Sequence, residues 1–363
     1  MISTIINYIK RKIFLYKIKT RPFSLPEGAI YVNYCGVLRR NQKYGITGGK
    51  VKLIHLDKIF PEQKEDFNIL YLISSALPEY APELVAQNKE YGAKFVLNQN
   101  GVGYPGWAGS NTERINKQLR ILIHEADFVF YQSRFCKKSA DTFLGEVSCP
   151  WDICYNCVDT EFFIPPPQAP SFETWKIIST GTHLMWPQRV VSALEAIAIL
   201  KKRGYRVMYL LAGALKWDNS EEEVNDLIDS LDIRENVKII SEYKQEHANK
   251  LYQRAHVLLH PMYNDACPTV TIEAMASGVP IVGSNSGGTP ELIGDDAGIL
   301  IDGPQSYEKF YFPDPNQLAG AIVSIMENWN EFSWNACNRA KLLFDKKLWL
   351  EKHVEVFKKL LQL

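Results

Sequence analysis

Two carboxylates eight positions apart, Asp265 and Glu273, lie in the stretch HPMYNDACPTVTIEAMASGVPIVGSNSGGTPELIGDDAGILI, residues 260–301. Residues 255–260 (AHVLLH) are apolar and end at Pro261, which predicts a buried strand leading into a loop. Asp265 falls in that loop. Pro268 and Thr269 mark a helix start, with Glu273 about one turn in, and Gly278 marks its stop. Residues 279–283 predict the next strand. A polar loop with two glycines then leads to Pro290 at the first position of another helix. A carboxylate near a helix start can accept both hydroxyls of a ribose. The helix N-terminus offers N–H groups and a positive dipole end to a diphosphate, and the loop carboxylate reaches a second polyol. The chemistry this suits is the binding of a phosphorylated sugar. The spacing alone is met equally well by two solvated acids flanking a buried helix.

The elements around this stretch must place it. At 363 residues the chain is long enough for two domains, and its 46% hydrophobic and 23% charged residues are those of a soluble globular protein. Lys plus Arg and Asp plus Glu both number 41, a zero net charge that argues against a nucleic-acid partner. The seven cysteines follow no framework spacing. Cys154 and Cys157 form a CxxC with Cys149 nearby, but a fourth ligand is missing, so no metal is expected and the thiols read as reduced. Residues 1–21 mix apolar positions with Lys10, Arg11, Lys12, Lys17, Lys19 and Arg21 and contain no acid. The charges interrupt the segment too often for a membrane span, and it has no signal-peptide pattern. Ile2, Ile5, Ile6, Ile9 and Ile13 make a rough helical stripe. Two readings stay open: a basic amphipathic helix lying on an anionic membrane surface, or a domain helix with a solvated basic face. The expected location is cytoplasmic, with peripheral contact at the inner membrane face under the first reading.

In the first half, strands are predicted at 29–34, 51–56, 67–74, 93–97, 128–133 and 152–154, and helices at 81–91, 112–125 and 134–144. A glycine-rich turn at 44–50 carries Gly48 and Gly49, which suit close approach to a phosphate and equally suit a plain turn. The loop NQNGVGYPGW, residues 98–107, follows a strand. Asn100, Tyr104 and Trp107 offer it amide hydrogen bonds and flat apolar faces for a sugar, or else form a Pro/Gly turn with a packed Trp. The segment PPPQAPS, 165–171, is the strongest linker in the chain. Beyond it the alternation restarts, with strands at 176–180, 207–212 and 237–240 and helices at 190–202, 221–231, 247–255, 314–329 and 348–363. This predicts an α/β protein of two doubly wound domains: 1–168, 169–346, and a C-terminal helix, 347–363, returning toward the first. If the C-terminal strand edges of the domains face each other, they make a cleft.

The central stretch resembles the retaining glycosyltransferases of family 4, also called glycosyl transferase group 1. Their signature is Glu-x7-Glu in a context like PSxxEGFPxxxLEAMAxGxPVVxSxxGGxPE. Here Glu273, the EAMASGVP run, Gly287-Gly288 and Pro290-Glu291 fall at matching places. Gln132-Ser133 with Phe135 resembles the family's QSxF, and NCVDTEFFIP, 156–165, resembles its NGVDTxxFxP. The resemblance implies the GT-B fold, two Rossmann-like domains facing across a cleft. It implies metal-independent transfer of a glycosyl group with retention, from a nucleotide-diphosphate sugar as co-substrate, with no bound cofactor, to a glycan, lipid-linked or protein acceptor. In that reading Glu273 accepts the ribose hydroxyls and Asp265 holds the transferred sugar. Backbone N–H groups around Thr269, Val270 and Thr271 hold the diphosphate, with Gly181 and Thr182 on the donor side. Gly48 and Gly49 approach the diphosphate, Tyr243 flanks the base, and Asn100, Tyr104 and Trp107 serve the acceptor.

Three departures from the family pattern stand out. The first acid is Asp265, one methylene shorter than Glu. The family's Gly-Arg and following Lys, which clamp the diphosphate, are replaced: Gly181 is followed by Thr182, and the Lys position holds Gln188 beside Arg189. Arg189 either takes over the clamp, with its bidentate geometry, or is a surface arginine. The strand that often ends in His ends here in Asn98-Gln99-Asn100, which can hydrogen-bond a sugar but cannot act as a base. Two other functions fit the fold: a sugar-nucleotide-binding protein that has lost turnover, and a sugar-nucleotide epimerase.

Overall fold

The computed structural model describes residues 9, 11–13, 15, 26, 28–40, 50–168, 170–183 and 187–363. The chain divides into two compact units, Met1–Asn156 with Lys346–Leu363, and Cys157–Asp345. The proline-rich segment belongs by its contacts to the second unit, downstream of the point where the chain enters it. Val158 N–H donates to Phe344 O at 2.8 Å, and the Pro165 ring packs beside Gly278.

The first unit is built on a five-stranded sheet, all its pairings parallel, in the order β1-β2-β3-β4-β5. The strands are β1 (Val32–Asn33), β2 (Ile69–Ile73), β3 (Lys94–Gln99), β4 (Phe128–Tyr131) and β5 (Trp151–Ile153). β2 is buried along its whole length, which accounts for its unbroken apolar run. The helix Thr112–Glu125 buries Asn116, Leu119, Leu122 and Ile123 on one stripe. The helix Arg134–Leu144 starts at Ser133, whose Oγ accepts from Cys136 N–H at 3.0 Å. The strand expected at 51–56 is instead part of a helix, Val51–Ile59. Its buried positions are Lys52, Leu53 and Leu56, a helical spacing, and the adjacent apolar pair Leu53-Ile54 breaks the alternation a half-buried strand requires. The C-terminal helix Lys346–Leu361 packs on this helix within the first unit. It is anchored by His353, whose Nδ1 donates to Trp349 O at 2.7 Å and whose Nε2 accepts from Tyr71 Oη at 3.0 Å. Burial pushes the His353 pKa down to about 3.

The second unit carries a six-stranded parallel sheet in the order β11-β10-β9-β6-β7-β8. These are β6 (Trp175–Thr180), β7 (Val207–Ala212), β8 (Val237–Ile240), β9 (Val257–His260), β10 (Ile281–Ser284) and β11 (Gly298–Ile301). β6 pairs with β7 on one side and β9 on the other, so the strand order reverses there. At such a switch point the loops leaving the two central strands diverge and open a crevice at their carboxyl ends. The core behind it includes Ile177, Leu194, Ile197, Leu211, Val257 and Leu259. β11 and the helix Trp329–Leu343 were not expected. The helix buries only Ala336, Cys337 and Ala340, small residues that give no marked apolar stripe. Among the described residues, no helix is long and apolar enough to cross a membrane.

Candidate functional site

The loop after β9 carries Asp265. Its backbone is held from several sides. Asn264 N–H donates to Ser286 Oγ at 2.8 Å, and Gly288 N–H donates to Asp265 O at 2.7 Å. Gly287 has φ +65°, and a Cβ there would collide with Asp265 O, so the double glycine lets the two loops touch backbone to backbone. Tyr263 Oη donates to Pro304 O at 2.6 Å, and Asn264 Nδ2 donates to Ser306 O at 2.9 Å. The Asp265 carboxylate itself accepts from His260 Nε2 at 3.2 Å.

The helix Thr269–Ala276 begins at Pro268 and buries six of its eight residues, Glu273 among them. Glu273 is 4% exposed. Its Oε1 accepts from Gln245 Nε2 at 2.6 Å and its Oε2 from Tyr252 Oη at 3.2 Å. Both donors come from one helix, Gln245–Tyr252. Burial pushes the Glu273 pKa up to about 7, against the pull of those two donors. A carboxylate has about four acceptor sites, so two hydrogen bonds leave one on each oxygen for a diol. Tyr252 Oη also lies 2.9 Å from Thr180 Oγ1 at the end of β6. Tyr243 joins the same group: burial and the Glu273 charge push its pKa up to about 12, and hydrogen bonds with Thr180 and the Gly181 backbone oppose the shift.

On the β6 side, Gly181 backs onto the first turn of the Glu273 helix. A Cβ on Gly181 would stand 3.4 Å from Val270 Cγ1. Thr271 N–H and Oγ1 both bond to Pro268 O, at 3.3 and 2.7 Å. Arg189, near the start of the helix Pro187–Lys202, turns back toward the strand ends. Its Nη2 donates to His183 Nδ1 at 2.7 Å and to Thr182 O at 3.3 Å. The Asp265 charge supports the guanidinium cation against the burial that opposes it.

The structure therefore brings Asp265, Glu273, Gly181, Thr182, Arg189, Tyr243 and residues 269–271 together around the β6–β9 switch point. Gly48 and Gly49 lie outside the described residues. Asn100, Tyr104 and Trp107 belong to the first unit, just beyond β3. Asn100 Oδ1 accepts from Ser74 Oγ at 2.5 Å. Tyr104 is 5% exposed with its ring against Phe143, whereas Trp107 is 44% exposed. Sequence reasoning missed four residues of the second unit, His183, Gln245, Tyr252 and His260. Only His260 carried a signal, its place between a strand and Pro261. None of the seven cysteines forms a disulfide, and among the described residues no group of three or more His, Cys, Asp or Glu is placed to hold a metal ion.

Comparison with known proteins bears on the same region. Residues 167–339 match the family model of the glycosyl transferases group 1. The chain is similar to the gpi3 subunit of phosphatidylinositol N-acetylglucosaminyltransferase from Schizosaccharomyces pombe, 22% identical over 227 residues, 62% of this chain and 46% of that protein. It spans less than half the length of the curated relatives it matches first. Among solved structures it resembles a sucrose-phosphate synthase from Thermosynechococcus elongatus, with TM-score 0.67 and 17% identity over 86% of this chain and 76% of that one. It also resembles Anabaena Alr3699/HepE in complex with UDP and glucose, with TM-score 0.63 and 16% identity over 81% of this chain and 78% of that one. At these identities the likeness to solved structures is one of fold.

Proposed function

We propose, from the match of residues 167–339 to the family model of the glycosyl transferases group 1, that this chain transfers a sugar from a nucleoside diphosphate sugar to a glycan, lipid-linked or protein acceptor. The observation that carries this is the convergence near the β6–β9 switch point of a buried carboxylate, a helix N-terminus, a guanidinium and a second carboxylate. In this reading Glu273 accepts the ribose hydroxyls. The helix start at Thr269 and Val270, together with Arg189, meets the diphosphate. Asp265 hydrogen-bonds the hydroxyls of the transferred sugar, and Tyr243 lies along the base. Asn100, Tyr104 and Trp107 are the acceptor-binding residues in this reading. A UDP-bound neighbour and a relative named for a phosphatidylinositol acceptor support a nucleotide donor and a lipid-linked acceptor.

Transfer in this scheme proceeds with retention and without a metal ion. Fixed positive charge and N–H dipoles stabilise the leaving diphosphate as the glycosidic bond breaks. Asn100 has no basic atom, so the acceptor proton passes to a leaving phosphate oxygen. The test is the anomeric configuration of the product, followed by NMR with and without a chelator. Retained configuration and full rate in the chelator are expected. An inverted product overturns retention, and a rate abolished by chelation overturns metal independence. The replacement of the usual clamp by Thr182 and Gln188 favours one second reading, a sugar-nucleotide-binding protein without turnover. It predicts donor binding with no transfer to any acceptor.

A further inference from the structure

We infer that His183 is a positioning residue, one that holds the Arg189 guanidinium where the donor's diphosphate binds. This rests on the reading of the switch point as a diphosphate site. Arginine can only donate, so the 2.7 Å contact between Arg189 Nη2 and His183 requires Nδ1 to be the acceptor and puts the ring proton on Nε2. The histidine is well placed to hold such a bond. Its side chain is 3% exposed. Its backbone is pinned on both sides, His183 N–H to Ala214 O at 2.9 Å and Lys216 N–H to His183 O at 2.7 Å. That pairing is itself made possible by Gly213, at φ +128°, where a Cβ would collide with the Gly181 carbonyl.

Burial pushes the imidazole pKa well below its ordinary value, and Arg189 lying against the ring and His260 close by push it the same way, against a backbone hydrogen bond with Ala212. A neutral ring keeps Nδ1 available as an acceptor. A small cavity beneath is lined by Ser179, Thr180, His183, Arg189, Tyr209 and His260. Without the ring, Arg189 has this space, the Thr182 carbonyl and the Asp265 carboxylate to settle against. The guanidinium would then turn from the diphosphate toward Asp265. The missing Gly-Arg and Lys clamp is in this way replaced by a pair, His183 and Arg189, of which only Arg189 touches the ligand.

The test is calorimetric binding of UDP, GDP and ADP, each against its own nucleoside, to the full chain, to three single variants and to the double variant Arg189→Ala/His183→Leu. His183→Leu removes the acceptor. His183→Asn keeps an acceptor near the Nδ1 position. Arg189→Ala removes the guanidinium. The preference of the wild-type chain for one diphosphate over its nucleoside is expected to fall about tenfold in His183→Leu and to be largely restored in His183→Asn. In the Arg189→Ala background, His183→Leu is expected to cost nothing more, since paired residues are non-additive. A merely structural role would weaken nucleoside and diphosphate alike and would persist without Arg189; either result overturns the assignment. An unchanged preference in His183→Leu overturns it while leaving the diphosphate site intact. A wild-type chain that prefers no diphosphate over its nucleoside removes the site itself, and the role of His183 with it.

Discussion

The backbone N–H of Gly288 donates to the carbonyl oxygen of Asp265 at 2.7 Å, so the two loops at the ends of β9 and β10 act as one piece. Gly287 makes that contact possible, because any side chain there meets Asp265 O and Asn264. Gly287→Ala is therefore expected to displace the Asp265 loop. The left-handed φ and the collision together are expected to cost about 2 kcal/mol or more of stability. Turnover is expected to fall further than the stability loss explains, while nucleoside binding at Glu273 persists. Chemical denaturation and turnover measured on one preparation check both. Unaltered turnover in a folded variant would separate the Gly287 loop from the site.

Glu273 makes binding depend on pH. Its folded pKa, about 7, lies above the ordinary carboxylate value of 4.5. Between those values the folded chain holds a proton that the unfolded chain has lost, so stability falls as pH rises from 4.5 to 7 and levels off above. At about 1.4 kcal/mol per pKa unit, the effect is a few kcal/mol. Glu273→Gln is expected to remove this slope. Nucleoside binding runs the other way: it uses the carboxylate as a double acceptor and strengthens from pH 6 to 8. Titrations at pH 6, 7 and 8 check it, and a flat wild-type profile would contradict the role of Glu273.

Asp265→Asn keeps the size of the side chain and part of its hydrogen bonding but loses the charge facing Arg189. Turnover is expected to drop about 100-fold, with nucleoside diphosphate affinity unchanged or raised as Arg189 is released. Steady-state rates with parallel calorimetry distinguish this from general damage, which would lower both.

Ile9 and Ile13 stand one helical turn apart, and each is about half exposed, at 50% and 49%, in a segment rich in Lys and Arg. Arg11 pairs with Glu83 at 3.0 Å, which places Arg11 beside the helix Ala81–Glu90. If the segment touches a membrane, sedimentation with anionic vesicles will be salt-sensitive and will weaken when both isoleucines are changed to Ser. Equal sedimentation of wild type and the double variant would remove the membrane contact.

Much of the second unit was legible because its strands are short apolar runs ended by Gly or Pro, as in β6 before Gly181 and β9 before Pro261. The helix Val51–Ile59 was not. Its buried Lys52 sits where a pattern reader expects a solvent-facing residue, and its Nζ is instead engaged by Asn98 and Asn156 at 2.7 and 2.9 Å. In the site, Asp265 and Glu273 showed through because both sit at fixed offsets from a helix start. Gln245 and Tyr252 did not, since they reach Glu273 from another helix through long-range contacts that no local spacing records. His183 and Arg189 lie close in sequence but follow no helical or strand period. The bonds of Arg189 to His183 and Thr182 show that it turns inward.

The most direct test of the central claim is thermal stabilisation by a panel of UDP-, GDP-, ADP- and CMP-sugars, in wild type and in Glu273→Ala. A ligand that binds only the native chain raises its Tm. The account predicts that one nucleotide class raises the Tm of wild type by several degrees and that the shift is lost in Glu273→Ala. No shift with any donor, or a shift that survives the loss of Glu273, would contradict it.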